Sequence, residues 1–129
     1  MKNYSYLVLT LLFVVMISAC STVKITNKNL GGNWNIVFTG DLTGLGSFYI
    51  NGSTNKFSSG NISLTNVELG EYDDYQIYGE ISTNVITKGY IRHSGDTLGT
   101  LDGTFTIDAG AGSYVLNDSL QGGWTASKK

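Results

Sequence analysis

Apolar and polar side chains alternate along most of the chain after residue 30. Trp34, Ile36 and Phe38 occupy every second position, and Asn33 and Asn35 lie between them. Successive side chains of a strand point to opposite faces, so this period of two predicts a half-buried β-strand. The same period recurs in six further segments, namely Phe48 with Ile50, Ile62 with Leu64, Tyr75 with Ile77 and Ile81, Leu101 with Phe105 and Ile107, Tyr114 with Leu116, and Trp124 with Ala126.

Breaks in this alternation mark the ends and irregularities of the predicted strands. Val67 and Leu69 are out of phase with Leu64, which predicts a bulge or a break near Asn66. Residues 85–91 show a mixed face that consists of Val85, Thr87, Gly89 and Ile91. All 17 glycines follow residue 30 and the chain has no proline, a composition typical of short strands joined by tight turns.

The resulting fold class is all-β, with about eight antiparallel strands of about 5–8 residues. Two architectures satisfy this pattern, a closed up-and-down (meander) barrel and a two-sheet sandwich. We favour the small meander barrel because every connection is short. The domain is predicted to span residues 30–129 and to follow an N-terminal signal helix.

The first twenty residues have the composition of an export signal. Lys2 supplies a positive charge, residues 6–17 are almost entirely apolar, and the small residues Ser18 and Ala19 precede Cys20. The apolar stretch is too short to span a bilayer comfortably and ends in a cleavage pattern, so residues 1–19 are predicted to be a signal peptide. Residues 20–29 are polar and predict a tether that reaches about 30 Å when extended.

The segment Ile17, Ser18, Ala19 and Cys20 resembles the lipobox of bacterial lipoproteins. The resemblance implies acylation of the Cys20 thiol and cleavage before it. An ordinary signal peptide cut after Ala19 is the alternative. Acyl chains such as palmitate would hold the protein at the membrane of the cell envelope. Ser21 follows the cysteine, which by the sorting rule of this family implies the outer membrane in a Gram-negative organism.

Charge and composition exclude several functions. Without Lys2, seven basic residues stand against ten acidic ones, a formal charge of −3. We therefore expect neither a nucleic acid partner nor a basic patch for a membrane. Cys20 is the only cysteine, so no disulfide framework is possible. The lone His93 is expected to be a polar turn residue. We predict no catalytic residues, no metal site and no cofactor, hence no enzyme.

Two segments share the pattern Leu-x-Gly-x-Trp, residues 30–34 and residues 120–124. If the first and last strands pair, Trp34 and Trp124 would close one end of the barrel. Gly32-Asn33-Trp34 near the start of a meander resembles the Gly-x-Trp signature of the calycins, the lipocalin and avidin group. The resemblance implies a lipocalin-like barrel that binds a small apolar ligand. The small residues Gly79, Gly89, Gly103 and Ala126 leave room for a shallow pocket among the large inward side chains.

Four tyrosines, Tyr49, Tyr72, Tyr78 and Tyr90, fall on or near the predicted outer faces. Tyrosine is favoured at binding surfaces because it offers a large contact area at a low entropic cost. We therefore expect a protein-interaction module with an inhibitor, immunity or structural role in the envelope. The alternative function is a calycin-like carrier or sensor of a small apolar ligand. The alternative role of these tyrosines is to form pairs that only stabilise the sheet.

Overall fold

The computed structural model describes residues 24–129, so the predicted signal peptide and Ile17, Ser18, Ala19 and Cys20 lie outside the described residues. One helical turn, α1 (Asn27–Leu30), precedes nine strands. These are β1 (Gly32–Gly40), β2 (Leu42–Asn51), β3 (Lys56–Ser59), β4 (Ile62–Asn66), β5 (Tyr72–Ser82), β6 (Val85–His93), β7 (Asp96–Phe105), β8 (Ala109–Leu116) and β9 (Leu120–Lys128). In the described part of the chain no helix is long and apolar enough to cross a membrane.

The strands form one closed antiparallel barrel in which neighbouring strands of the chain pair, except that β3 does not pair with β4. β3 and β4 both pair with β2 and with β5, so together they fill one of eight strand positions. Phe48 pairs with Ser59 and Gly44 with Leu64, which leaves one extra residue on the β3–β4 side. This extra residue is a β-bulge at the break between β3 and β4. The prediction of an eight-stranded meander barrel is confirmed, and β1 closes it by pairing with β9.

The inward side chains form a single core of twenty buried residues. Most predicted inward positions are confirmed, including Trp34, Ile36, Phe38, Tyr114 and Leu116. The strands are longer than expected. Six of the nine have nine residues or more. The break near Asn66 is confirmed as the end of β4. There the Asn66 side chain accepts hydrogen bonds from the backbone nitrogens of Glu68 and Leu69.

Two predicted inward residues are exposed, Val85 (44%) and Ile107 (43%). In this segment Ile86 is buried in the core in place of Val85. Glu80 pairs with Lys88 and Ile81 with Ile86, so β6 has one extra residue here, and this bulge reverses the phase of the strand. Ile107 follows the end of β7 and lies in the turn before β8, where the alternation no longer determines burial.

The two ends of the barrel, the helix end and the distal end, carry different elements. The helix end carries α1, the start of β1, the β2–β3, β5–β6 and β7–β8 turns and the end of β9. The distal end carries the β1–β2, β4–β5, β6–β7 and β8–β9 turns.

Part of the predicted tether belongs to the barrel. Ile25 packs against the core, and the Asn27 side chain donates a hydrogen bond of 3.2 Å to the carbonyl of Ile81. The Nζ of Lys128 donates a hydrogen bond of 2.6 Å to the carbonyl of Asn29. The Thr26 hydroxyl accepts a hydrogen bond from the backbone nitrogen of Asn29 and caps α1. Ile25, Asn27 and Asn29 are therefore held at one end of the barrel.

Candidate functional site

A cleft in the outer wall of the barrel brings together three of the four predicted surface tyrosines. In the strand register, Tyr49 lies opposite Ser58, Ser58 opposite Tyr78, and Tyr78 opposite Tyr90. Residues directly opposite each other share a face of the sheet, so these four side chains form one row across β2, β3, β5 and β6. The small Ser58 side chain leaves a gap between the tyrosines. The resulting tyrosine cleft has a volume of about 460 Å³.

The Tyr78 side chain is held from several sides. Its ring centroid lies 5.3 Å from that of Tyr90, with 33° between the ring planes. The guanidinium carbon of Arg92 lies 4.6 Å from the Tyr78 ring centroid, a cation–π contact worth about 0.5–1 kcal/mol at an exposed site. The phenol and the Thr97 hydroxyl share a hydrogen bond of 2.6 Å. These contacts preorganise the ring as one wall of the cleft.

The hydrogen bond with Thr97 also changes the acidity of Tyr78. It lowers the pKa of the phenol below its ordinary value, and the neighbouring positive charge of Arg92 lowers it further. Partial burial opposes this shift. The donors around the phenol oxygen thus favour the phenolate, so this oxygen is suited to accept a hydrogen bond from a partner.

Charged side chains of both signs border the cleft towards the helix end. Glu80 lies opposite both Lys56 on β3 and Lys88 on β6. The Lys88 Nζ and a Glu80 carboxylate oxygen are 3.3 Å apart. Both side chains are well exposed, so this ion pair adds little stability. The cleft therefore combines an aromatic centre with a charged rim.

Tyr72 does not belong to this cleft. It begins β5 and lies opposite Thr65, whereas Tyr78 is six residues further along the same strand. At about 3.3 Å per residue the two tyrosines are about 20 Å apart. Tyr72 is 78% exposed at the distal end, where Val67 and Leu69 are also exposed. The prediction grouped the four tyrosines by face, and the length of β5 separates one of them.

The two tryptophans occupy different levels of the barrel. Trp34 lies at the helix end, where its Nε1 donates a hydrogen bond of 2.8 Å to the carbonyl of Leu30. Trp124 pairs with Phe38, in the middle of β9, and its Nε1 donates a 2.9 Å hydrogen bond to the carbonyl of Asp102. Antiparallel pairing places the start of β1 beside the end of β9, so equivalent positions in the two strands lie far apart. Both rings nevertheless contact Phe105, at centroid distances of 5.2 Å for Trp34 and 5.6 Å for Trp124, so closure of one end by both tryptophans stays a prediction.

Large side chains occupy the interior space that the inward glycines leave. A Cβ atom on Gly103 would collide with the Trp124 ring, and one on Gly79 would lie 2.7 Å from the Phe57 ring. A Cβ atom on Gly89 would lie 2.9 Å from the Ile86 side chain. A ligand at these places would have to displace core side chains. The interior space expected at these three glycines is therefore filled.

His93 has partners that the sequence did not reveal. Its Nδ1 lies 2.9 Å from the carbonyl oxygen of Asp74, and its Nε2 lies 3.3 Å from a carboxylate oxygen of Asp73. The Ser94 hydroxyl lies 3.2 Å from the same Nε2. In a nucleophilic triad the serine and the carboxylate use opposite ring nitrogens, so this arrangement is not a triad. It ties the β6–β7 turn to β5 beside a small pocket of about 240 Å³.

No three His, Cys, Asp or Glu side chains among residues 24–129 are placed to hold a metal ion. The chain matches no family model, no curated protein and no solved structure. The lipoprotein and calycin resemblances therefore remain predictions. The candidate site rests on the geometry of the tyrosine cleft alone.

Proposed function

We propose that this chain is a membrane-anchored lipoprotein of the cell envelope that acts without catalysis and binds a partner protein through the tyrosine cleft. The observation that carries the proposal is the row in which Tyr49 and Tyr78 flank the gap above Ser58 and Tyr90 supports Tyr78 from the other side. An inhibitor, an immunity protein and a structural envelope partner would each use such a surface.

The composition of the cleft favours a protein partner. Binding energy at protein interfaces concentrates in a few aromatic and arginine side chains at the centre, surrounded by a polar rim. Tyr49, Tyr78 and Tyr90 form such a centre, and Lys56, Glu80 and Lys88 supply the rim. Arg92 packs on the Tyr78 ring from outside the cleft. The fixed Tyr78 ring loses little conformational entropy on binding. We expect the partner to insert an apolar or aromatic side chain into the gap above Ser58.

The membrane anchor in this proposal is an acylated Cys20. The lipobox-like segment that ends at Cys20 supports it, and the outer membrane is the proposed location in a Gram-negative organism. Two or more acyl chains anchor a protein stably, since each buried methylene group contributes about 0.8 kcal/mol. Intact-mass analysis of the processed protein tests this part, because acylation adds the mass of the chains to a chain that begins at Cys20.

Site-directed photocrosslinking in cells tests the binding surface. A photoreactive phenylalanine analogue replaces Tyr49 in the cleft or, as the matched control, Tyr72 at the distal end. Both are exposed tyrosines, so the two variants differ mainly in position. We expect a discrete adduct from position 49 and none of the same mass from position 72. The double substitution Tyr78→Ser and Tyr90→Ser should abolish the adduct at position 49.

Two results would contradict the proposed binding surface. One is an identical set of adducts from both positions, which would indicate random contact. The other is an adduct at position 49 that persists when Tyr78 and Tyr90 are both serine. Circular dichroism of the double variant must show an intact barrel, which we expect because neither side chain belongs to the core.

A further inference from the structure

The lysines of the described chain gather at one end of the barrel. Six of the seven basic residues after residue 23 lie at the helix end, namely Lys24, Lys28, Lys56, Lys88, Lys128 and Lys129. Only Glu80 and Asp108 oppose them there, which leaves a formal side-chain charge of +4. The expectation of no basic patch was therefore wrong, because the barrel joins lysines that are scattered along the sequence.

The opposite end has the opposite charge. Seven of the ten acidic residues lie at or beside the distal turns, namely Asp41, Glu68, Glu71, Asp73, Asp74, Asp96 and Asp118. Among residues 24–129, Arg92, next to the end of β6, is the one basic residue at the distal end, and Asp102 lies between the two ends within β7. The molecule thus has a net negative charge but a strong charge asymmetry along the barrel axis. A negatively charged surface attracts the helix end and repels the distal end.

We propose that the helix end docks on the surface of an anionic phospholipid bilayer and that this contact orients the barrel. Phospholipid phosphates are mobile and match a dispersed ring of lysines better than the fixed charges of a protein partner. Each lysine near an anionic bilayer strengthens the contact about fivefold. The contact would hold the axis of the barrel upright, with the distal acidic turns facing away from the membrane.

The path of the chain supplies the second argument for a bilayer, and this argument rests on the proposed acylation of Cys20. Lys24 is four residues after Cys20, so the two residues are at most about 14 Å apart in any conformation. Ile25 and Asn27 fix the following segment against the helix end. An acylated Cys20 would thus place the lysine ring within reach of the headgroups.

The test measures which end of the anchored protein faces the bilayer. The full chain is expressed, and the processed protein is inserted into vesicles that contain a quencher attached to lipid headgroups. A fluorophore is attached at Ser53→Cys, in the β2–β3 turn of the helix end, or at Ser119→Cys, in the β8–β9 turn of the distal end. The vesicles consist of phosphatidylcholine alone or with about one third phosphatidylglycerol.

We expect phosphatidylglycerol to increase quenching at position 53 and not at position 119. Salt at about 1 M should remove the increase, since the Debye length then falls to about 3 Å. The variant Lys24→Gln, Lys28→Gln and Lys129→Gln should lower the ratio of docked to undocked molecules about a hundredfold, at about fivefold for each lysine. None of these three lysines lines the tyrosine cleft.

A second variant with the same net charge tests whether the effect depends on where the charges lie. Leu69→Glu, Asn117→Asp and Gln121→Glu also change the net charge by −3, but all three lie at the distal end. This variant should keep the quenching at position 53. The inference is overturned if both triple variants lose it equally, or if phosphatidylglycerol has no effect on the unmodified protein.

The mass of the processed protein separates this inference from the proposed function. An acylated protein that fails to orient refutes the docking contact and leaves the lipoprotein proposal intact. A protein with an unmodified Cys20 refutes the proposed anchor. In that case the same protein is floated with the two kinds of vesicle. The contact would be supported if this protein binds the anionic vesicles and the triple lysine variant does not. Absence of binding by this protein would refute the contact.

Discussion

The phenol oxygen of Tyr114, on β8, lies 2.8 Å from the backbone nitrogen of Leu42, at the start of β2. The same oxygen lies 3.1 Å from the carbonyl oxygen of Leu42 and 3.2 Å from that of Thr39. Tyr114 reaches this turn by passing over β9 at Gly122, its partner in the register, where a Cβ atom would collide with the phenol. One side chain thus links β8 to the β1–β2 turn across an intervening strand.

Tyr114→Phe should destabilise the barrel by about 1–3 kcal/mol, because the buried backbone nitrogen of Leu42 loses its hydrogen-bond acceptor. Chemical denaturation measures the change in the free energy of unfolding. Tyr49→Phe is the matched control, since it removes the same atom from a half-exposed side chain and should change stability by less than about 0.5 kcal/mol. Equal losses in the two variants would contradict a structural role for the Tyr114 hydroxyl.

Stability should also fall at alkaline pH in a way that depends on Tyr114. Burial, with a smaller contribution from Asp41, raises the pKa of this phenol, although the hydrogen bond with the Leu42 backbone opposes the shift. The unfolded chain releases the proton near pH 10 while the folded chain retains it. The stabilisation is therefore complete below about pH 10 and is lost as the pH rises through the folded pKa.

The measurement is the free energy of unfolding of the native protein and of Tyr114→Phe between about pH 8 and pH 11. The difference between the two proteins should shrink as the pH rises. Burial and the charge of Asp73 also raise the pKa of Tyr75, so the variant should retain part of the alkaline loss. A constant difference across this range would show that Tyr114 does not contribute.

The period of two was sufficient to predict the strands, because an inward position every second residue requires only a regular strand. The short connections then favoured the barrel over the sandwich. It failed at Val85 because a bulge is a property of the pairing between β5 and β6, which the local sequence does not show. It failed at Ile107 because the strand had already ended. The alternation thus predicts burial only where the strand register is uninterrupted.

The candidate site was less predictable than the fold. The alternation of apolar and polar residues identified the outward-facing tyrosines. Which residues lie next to them on adjacent strands depends on the strand register, which the alternation does not give. Tyr49 and Tyr78 are 29 positions apart and lie in one row, whereas Tyr72 and Tyr78 share a strand and are separated. The ring of lysines was missed for the same reason, since Lys24 and Lys129 lie near opposite ends of the sequence.

Gly103→Ala should destabilise the barrel by about 1–3 kcal/mol or more, because the added methyl group would overlap the Trp124 ring and the carbonyl of Ala111. Gly60→Ala is the control. A Cβ atom there meets nothing within 4 Å, so the change in stability should stay within about 0.5 kcal/mol. Thermal unfolding compares the two variants. A Gly103→Ala protein as stable as the native one would indicate unfilled space beside Trp124.

Thr83 offers the reverse change, a gain in stability from glycine. It lies in the β5–β6 turn with a φ of 59°, a left-handed conformation that costs a residue with a Cβ atom about 1–2 kcal/mol. Glycine removes this cost but adds about 0.5–1 kcal/mol of unfolded-state entropy. Thr83→Gly should therefore raise the free energy of unfolding by up to about 1.5 kcal/mol.

Thr125→Gly, at an exposed position within β9, is the matched control for Thr83→Gly and should lower the free energy of unfolding by about 0.5–1 kcal/mol. Chemical denaturation of both variants under the same conditions gives the two signs. Opposite signs would show that strain in the turn, and not the intrinsic effect of glycine, determines the result at Thr83. A loss at both positions would mean that the left-handed conformation of Thr83 costs less than the added entropy.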